Sequence, residues 1–339
     1  MLNVFIAASL QSIWNMINAQ QLIVMMPLFD VVMPANAQFL FNQIMYIAAF
    51  NYVELDGPIN KLLHLNHTEP LNQNFRKLGF ESIYFLNNMG SMLIAFIIYP
   101  VLILVLLIMQ KCTHNSHHVA KTYERLKRDL FYNSIVSMMT ESYSMLSLCC
   151  LISFNKVSVR SFGEFIQSTI SMFFFTMLFV YPFAITYTSV KNWKDISELR
   201  KHFGSYFEEL RIALGPKILI FTNYFLFRRL LMAMVVVLTR KMIFLQVMVM
   251  AYSNIAQVIL IGQLEVYETG TKKFVEFINE VLIMMVLYSV ICFSSFVPDP
   301  EARFSMGYFC CVIVGLQLVF NIFFILSKMI WGAIFRIRI

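Results

Sequence analysis

The sequence predicts an all-α fold, a polytopic transmembrane helical bundle of about eight spans in which residues 1–339 form one membrane domain. Three observations carry this prediction. Apolar runs of about 20 residues, the length that crosses a hydrocarbon core, recur along the whole chain. Apolar residues make up 59% of the sequence and charged residues only 13%, with a mean hydropathy of +0.69, so a water-facing surface of normal polarity cannot be assembled from it. The basic residues also gather in alternate connections, as the positive-inside rule requires.

The spans fall at 2–29, 85–109, 130–153, 165–189, 218–238, 243–263, 277–296 and 305–330. Connections 111–129, 191–217 and 264–276, with the C-terminal end, hold sixteen Lys and Arg residues; the opposite connections hold eight. This bias puts the C-terminus and the long basic loops in the cytoplasm of an integral membrane protein. The formal charge of +7 suits anionic headgroups and needs no nucleic-acid partner, and no basic and aromatic interleaving of a nucleic-acid site is seen. The N-terminus lacks a basic region followed by a small-residue cleavage site. Met1 therefore either opens an internal signal-anchor or belongs to a piece of something longer.

In the first span Gln11, Asn15, Asn18 and Gln21 recur at spacings of four, three and three, which draws a polar stripe along one helix face. Two readings of that face stand side by side. It makes interhelical or interfacial hydrogen bonds, or it lines a pore or substrate path. Residues 31–84 form the outer segment. Within it 38–53 is too short and polar to span, which suits a re-entrant or interfacial helix, and Asn66-His67-Thr68 is a glycosylation sequon. Pro100 and Pro182 lie inside spans, where a missing amide donor kinks a helix.

Across 191–217, Trp193, Ile196, Leu199, Phe203, Tyr206, Phe207 and Leu210 step by three and four, predicting a cytoplasmic amphipathic linker helix at the membrane face. Arg228 and Arg229 stand together inside the fifth span, and Glu141 in the third is the natural partner for one of them, provided the two helices pack together. These intramembrane charges support three readings: an ion pair fixing helix register, a site for an anionic lipid headgroup, or an ion pathway. Asn254, Gln257, Glu280, Gln317 and Asn321 add polar groups to later spans as interhelical glue.

The six cysteines read as buried small hydrophobes, and Cys112 with His114, His117 and His118 reads as a solvated cluster. No metal or other cofactor is expected. The sequence carries no HExxH, GxSxG, phosphate-binding glycine loop or intramembrane aspartate pair, so the reading is non-enzymatic.

The run 14–24 (WNMINAQQLIV), Pro27-Leu28-Phe29 and Pro34-Ala35-Asn36-Ala37 resemble the opening of the C-terminal multipass module of large ciliate cell-surface proteins with cadherin-like or cysteine-rich repeats. The resemblance continues through 85–90 (FLNNMG), 204–210 (GSYFEEL), Arg228-Arg229 and Asn279-Glu280. An amphipathic linker, an Arg-Arg span and a Gln-bearing span are also distantly similar to TRP-like and polycystin-like membrane proteins. What the resemblance implies is a plasma or ciliary membrane and a channel-like or ion-transport-like role. The alternative is a non-conducting anchor or assembly subunit for an extracellular protein or filament, held through 31–84. The chain departs from a TRP-type pore in its short outer connections, 239–242 and 297–303, which hold no filter-like sequence.

Overall fold

The computed structural model describes residues 13, 16–48, 55–65, 68–112, 134–155, 157, 159–196, 199, 203–207 and 210–337. The helices are α1 (Met16–Leu28, closing in a 3-10 turn), α2 (Ala35–Ala48), α3 (Asp56–Leu63), α4 (Gln73–Lys77), α5 (Phe85–Met89), α6 (Ser91–Cys112) and α7 (Ile135–Phe154). They continue as α8 (Phe162–Lys191), α9 (Gly204–Phe207), α10 (Ile218–Leu238), α11 (Ile243–Leu264), α12 (Gly270–Ile291) and α13 (Pro300–Ile337). Among the described residues there is no strand, only an isolated bridge between Leu210 and Tyr267.

Six of these helices, α7, α8 and α10 to α13, are long and apolar enough to cross a membrane, which makes the chain a helical membrane protein. The apolar helical stretches at Met16–Leu28 and Met92–Ile108 are shorter, so six of the eight expected spans meet the length requirement among the described residues.

Helices α7 and α10 form the centre. The α7 window is 78% buried inside the bundle and that of α8 only 22%. Composition explains the difference. Lipid tails are as apolar as Leu, so helices meet closely where side chains are small. Helix α7 supplies Ser142, Ser144, Ser147, Cys149 and Cys150, all buried. Ser142 and Ser147 donate back to carbonyls of their own helix, Ser147 Oγ to the Tyr143 carbonyl at 2.7 Å, while Ser144 Oγ reaches Met25 Sδ of α1 at 3.6 Å. Tyrosines tie α7 to α8: Tyr143 donates to the Leu178 carbonyl at 3.1 Å, and Tyr181 to the Val136 carbonyl at 3.1 Å. Large apolar side chains on α6, α8, α11 and α13, such as Leu104, Phe183, Phe244 and Phe323, point outward, where lipid covers them.

The ends of the helices sort onto two faces as the alternation of connections expects. On one face Asp30 N donates to Gln246 Oε1 at 3.0 Å, Val32 N to the Phe293 carbonyl at 3.1 Å, and Arg240 to Asn155 at 2.8 Å. On the other, Arg211 N donates to the Val266 carbonyl at 2.8 Å and the Arg211 side chain pairs with Glu265 at 2.9 Å.

Three expected elements are corrected. The span expected at 85–109 is broken: Gly90, at φ 45°, separates the buried turn α5 from α6, a conformation that favours glycine. The seventh span begins at Gly270 rather than 277, because Thr269 Oγ1 caps it by accepting from Lys272 N at 3.3 Å and a Lys272–Glu276 pair at 2.8 Å carries the first turns. The linker 191–217 is not one helix. Leu210 leaves helical geometry to bridge Tyr267, and Gly215 at φ 73° before Pro216 breaks the chain again. Leu199, Tyr206, Phe207 and Leu210 are buried against the bundle.

The described residues between 31 and 84 fold as a cap over one end of the bundle. Helix α2 packs on α13, with Asn36 Nδ2 donating to the Phe304 carbonyl at 2.9 Å. Asn74 Nδ2 reaches the Phe29 carbonyl at 2.7 Å, and Leu86 N donates to Gln167 Oε1 at 3.0 Å. Tyr84 donates to Glu164 at 3.2 Å; burial, then the neighbouring Glu164 carboxylate, pushes its phenol above the ordinary value and keeps it a donor. The start of α8 approaches α3 so closely that a Cβ at Gly163 would overlap the Leu63 carbonyl oxygen. Replacing Gly163 by Val is therefore expected to destabilise the protein by about 1–3 kcal/mol, as overpacking does. The denaturation midpoint in detergent checks this, and an unchanged midpoint would refute the close approach.

Candidate functional site

An α-helix turns about 100° per residue, so adjacent side chains address different neighbours. Arg228 and Arg229 occupy the middle of α10 and diverge in this way. Arg228 turns to α12, where its Nη1 donates to both carboxylate oxygens of Glu280, at 2.8 and 2.7 Å. Arg229 turns to α7 and α1, donating through Nη1 to the Thr140 carbonyl at 3.2 Å and through Nη2 to the Asn18 carbonyl at 3.4 Å. Its guanidinium also stacks over Phe225, one turn earlier, at 4.1 Å from the ring centroid. The two guanidiniums are 2% and 1% exposed, so the neighbouring groups rather than solvent must balance them.

The direct partner of Arg228 is thus Glu280, not Glu141. Glu280 sits in the middle of α12 as Arg228 does in α10, so the two carry the same depth, and Asn254 of α11 donates to Glu280 Oε2 at 2.8 Å. Glu141 keeps part of its expected role: it lines the same cavity and acts electrostatically on Arg229.

A polar layer extends from this pair. Asn279 and Asn321 exchange hydrogen bonds between α12 and α13, at 3.2 and 2.7 Å. Gln257 of α11 and Gln317 of α13 are also buried, with side-chain atoms that have no partner among the described residues. Of the predicted stripe, Asn18 and Gln21 lie inside the bundle. Gln21 Nε2 donates to the carbonyls of Ala48 and Glu141 at 3.1 and 3.3 Å. Gln11 and Asn15, the Asn66 sequon position and the histidines at 114, 117 and 118 lie outside the described residues.

Between α1, α7, α10 and α12 is a cavity of about 110 Å³. Arg228, Arg229, Glu141, Glu280, Asn18 and Thr222 line it, and Lys272 and Tyr267 carry it toward the end of the bundle that holds the linker. Arg228 Nε and Nη2, Arg229 Nε, Asn18 Oδ1 and Thr222 Oγ1 have no hydrogen-bond partner among the described residues. A void of this size and polarity accommodates several waters. Among the described residues no three His, Cys, Asp or Glu side chains converge as metal ligands.

By sequence alone Glu280 reads as one of several interhelical polar groups. The signal for more was its position: it lies ten residues into α12, as Arg228 lies ten into α10, once the capping threonine is recognised as the helix start. Compared with protein-family models, curated proteins and solved structures, the chain matches none.

Removing one member of a buried ion pair leaves the other uncompensated, at a cost of about 3–5 kcal/mol. Glu280→Gln is expected to lose stability on that scale, and Glu141→Gln less, since Arg229 retains two carbonyl acceptors and the Phe225 ring. Chemical denaturation of the detergent-purified variants decides it; a larger loss for Glu141→Gln would reverse the assignment of partners.

Proposed function

We propose that this chain is a multipass membrane protein with an ion-transport-like role, in which the polar layer around Arg228, Glu280, Asn254 and Arg229 is the controlled part of a path inside the bundle. The observation that carries the reading is the set of buried polar atoms left without partners around a cavity at membrane depth. An unsatisfied polar group in hydrocarbon costs several kcal/mol, so interhelical polar contacts tend toward full pairing. Unpaired donors beside a void call for water or a passing solute.

The connections between α10 and α11 and between α12 and α13 are too short for a pore helix and filter. A path through the interior of one bundle, opened by separating the Arg228–Glu280 pair, suits this architecture better than a pore loop. The same reading keeps the linker end in the cytoplasm, in contact with anionic lipid headgroups, at a plasma or ciliary membrane.

A second reading has its own support. The outer cap carries a cleft of about 650 Å³ lined by Arg76, Lys77, Glu81, Asn87 and Asp56 among others, which suits an anchor or assembly subunit holding an extracellular protein or filament.

Purified protein in planar bilayers or liposomes separates the two. Currents or ion flux above those of empty membranes, changed severalfold by Glu280→Gln, Glu141→Gln or Arg228→Gln, are expected from the transport reading. Silence from folded protein, with the substitutions altering stability alone, would favour the anchor.

A further inference from the structure

A guanidinium offers five N–H donors along fixed edges, and a carboxylate or phosphate takes two parallel ones from a single edge. Glu280 does not use such an edge on Arg228. Both of its oxygens approach Nη1 alone, at 2.8 and 2.7 Å, and the fork formed by Nε and Nη2 is left without an acceptor among the described residues. On Arg229 both Nη atoms are spent on carbonyls and Nε is left over. The two residues are 2% and 1% exposed and line one cavity, to which Thr222 adds a hydroxyl without a partner among the described residues.

The charges around this cavity balance. Arg228, Arg229 and Lys272 face Glu141, Glu276 and Glu280, with Lys272 paired to Glu276 at 2.8 Å and Arg228 to Glu280 at 2.7 Å. An incoming anion therefore meets no net negative wall. Among the described residues the polar atoms of the lining without a hydrogen-bond partner include three guanidinium nitrogens, Arg228 Nε and Nη2 and Arg229 Nε, together with the Asn18 amide oxygen and the Thr222 hydroxyl. A ligand suited to this site brings acceptor oxygens spaced for one guanidinium fork.

We infer that the cavity is a binding site for a small oxyanion group, a carboxylate or phosphate, held side-on by Arg228 Nε and Nη2 with Arg229 Nε and the Thr222 hydroxyl as further donors. At about 110 Å³ the site takes one such group with a few waters. The group is either a free anion entering from the linker end or the headgroup of a lipid inserted there. The inference uses the cavity of the transport reading without requiring conduction: an oxyanion that binds and never crosses would leave this site intact and make its role regulatory.

The test is binding to detergent-purified, full-length protein, with no membrane gradient, so its failure and the failure of transport are separate results. Thermal shift and calorimetry are run with acetate, inorganic phosphate, chloride and acetamide, the neutral counterpart of acetate, and native mass spectrometry records co-purifying lipid. Arg228→Lys keeps a charge for Glu280 but lacks the fork, and Ala19→Leu fills the cavity while retaining both arginines. Acetate or phosphate binding at least tenfold tighter than acetamide, weakened at least tenfold by Arg228→Lys or by Ala19→Leu, supports a free oxyanion. Retention of an anionic lipid by the unchanged protein, lost in either variant, supports the headgroup source. Acetamide binding as well as acetate, unchanged affinity in both folded variants, or neither anion binding nor lipid retention would overturn the inference and leave water as the only occupant.

Discussion

Two adjacent guanidiniums in a layer without bulk water impose the constraint on which the bundle depends. Because neighbouring helical residues diverge by about 100°, one helix cannot answer both. Arg228 requires a carboxylate from one side and Arg229 acceptors from another, so α10 is bound at once to α12 through Glu280 and to α7 and α1 through the Thr140 and Asn18 carbonyls. In lipid the hydrophobic effect does not drive helices together, and packing with polar contacts decides which ones meet. The arginine pair therefore sets the position of the central helix.

The rest of the architecture follows outward from that centre. Helix α7 meets α10 along a small-residue face, and α12 passes the polar layer on to α13 through the Asn279–Asn321 exchange. Helices α8, α11 and α13 supply the apolar surface toward lipid. At one end the cap docks through backbone acceptors near Phe29 to Val32; at the other the linker is pinned by Leu210 and Arg211 on the 265–267 turn. The central polar layer is thus held from both faces, and its cavity communicates with the linker end.

Charge and hydrogen bonding give different answers at this centre, and the difference bears on function. The carboxylates and cations lining the cavity are equal in number, which stabilises the site inside a membrane. The hydrogen-bond inventory nevertheless leaves nitrogens of both guanidiniums without acceptors among the described residues, beside the Asn18 amide oxygen. Arg228 meets both oxygens of Glu280 through Nη1 alone, so its Nε–Nη2 edge is not used by that carboxylate.

What the sequence determined by itself was whatever depends on local composition. Hydropathy over a window is a property of consecutive residues, so the membrane class, the helical character and the alternation of faces were readable before any contact was known. The singular position of Arg228 and Arg229 was equally readable, because charge at membrane depth stands out against its apolar neighbours. Tertiary structure decided what depends on distance in space. Glu280 lies 52 residues from Arg228 in sequence and reaches its guanidinium from α12, although α7, which carries Glu141, is the helix packed most closely on α10. The break at Gly90 and the bridging of Leu210 to Tyr267 were likewise hidden, since the helical periodicity of a segment does not reveal where its backbone finds a better partner elsewhere. The unused edge of Arg228 is also a tertiary fact: a sequence lists donors and acceptors, and only geometry says which of them meet.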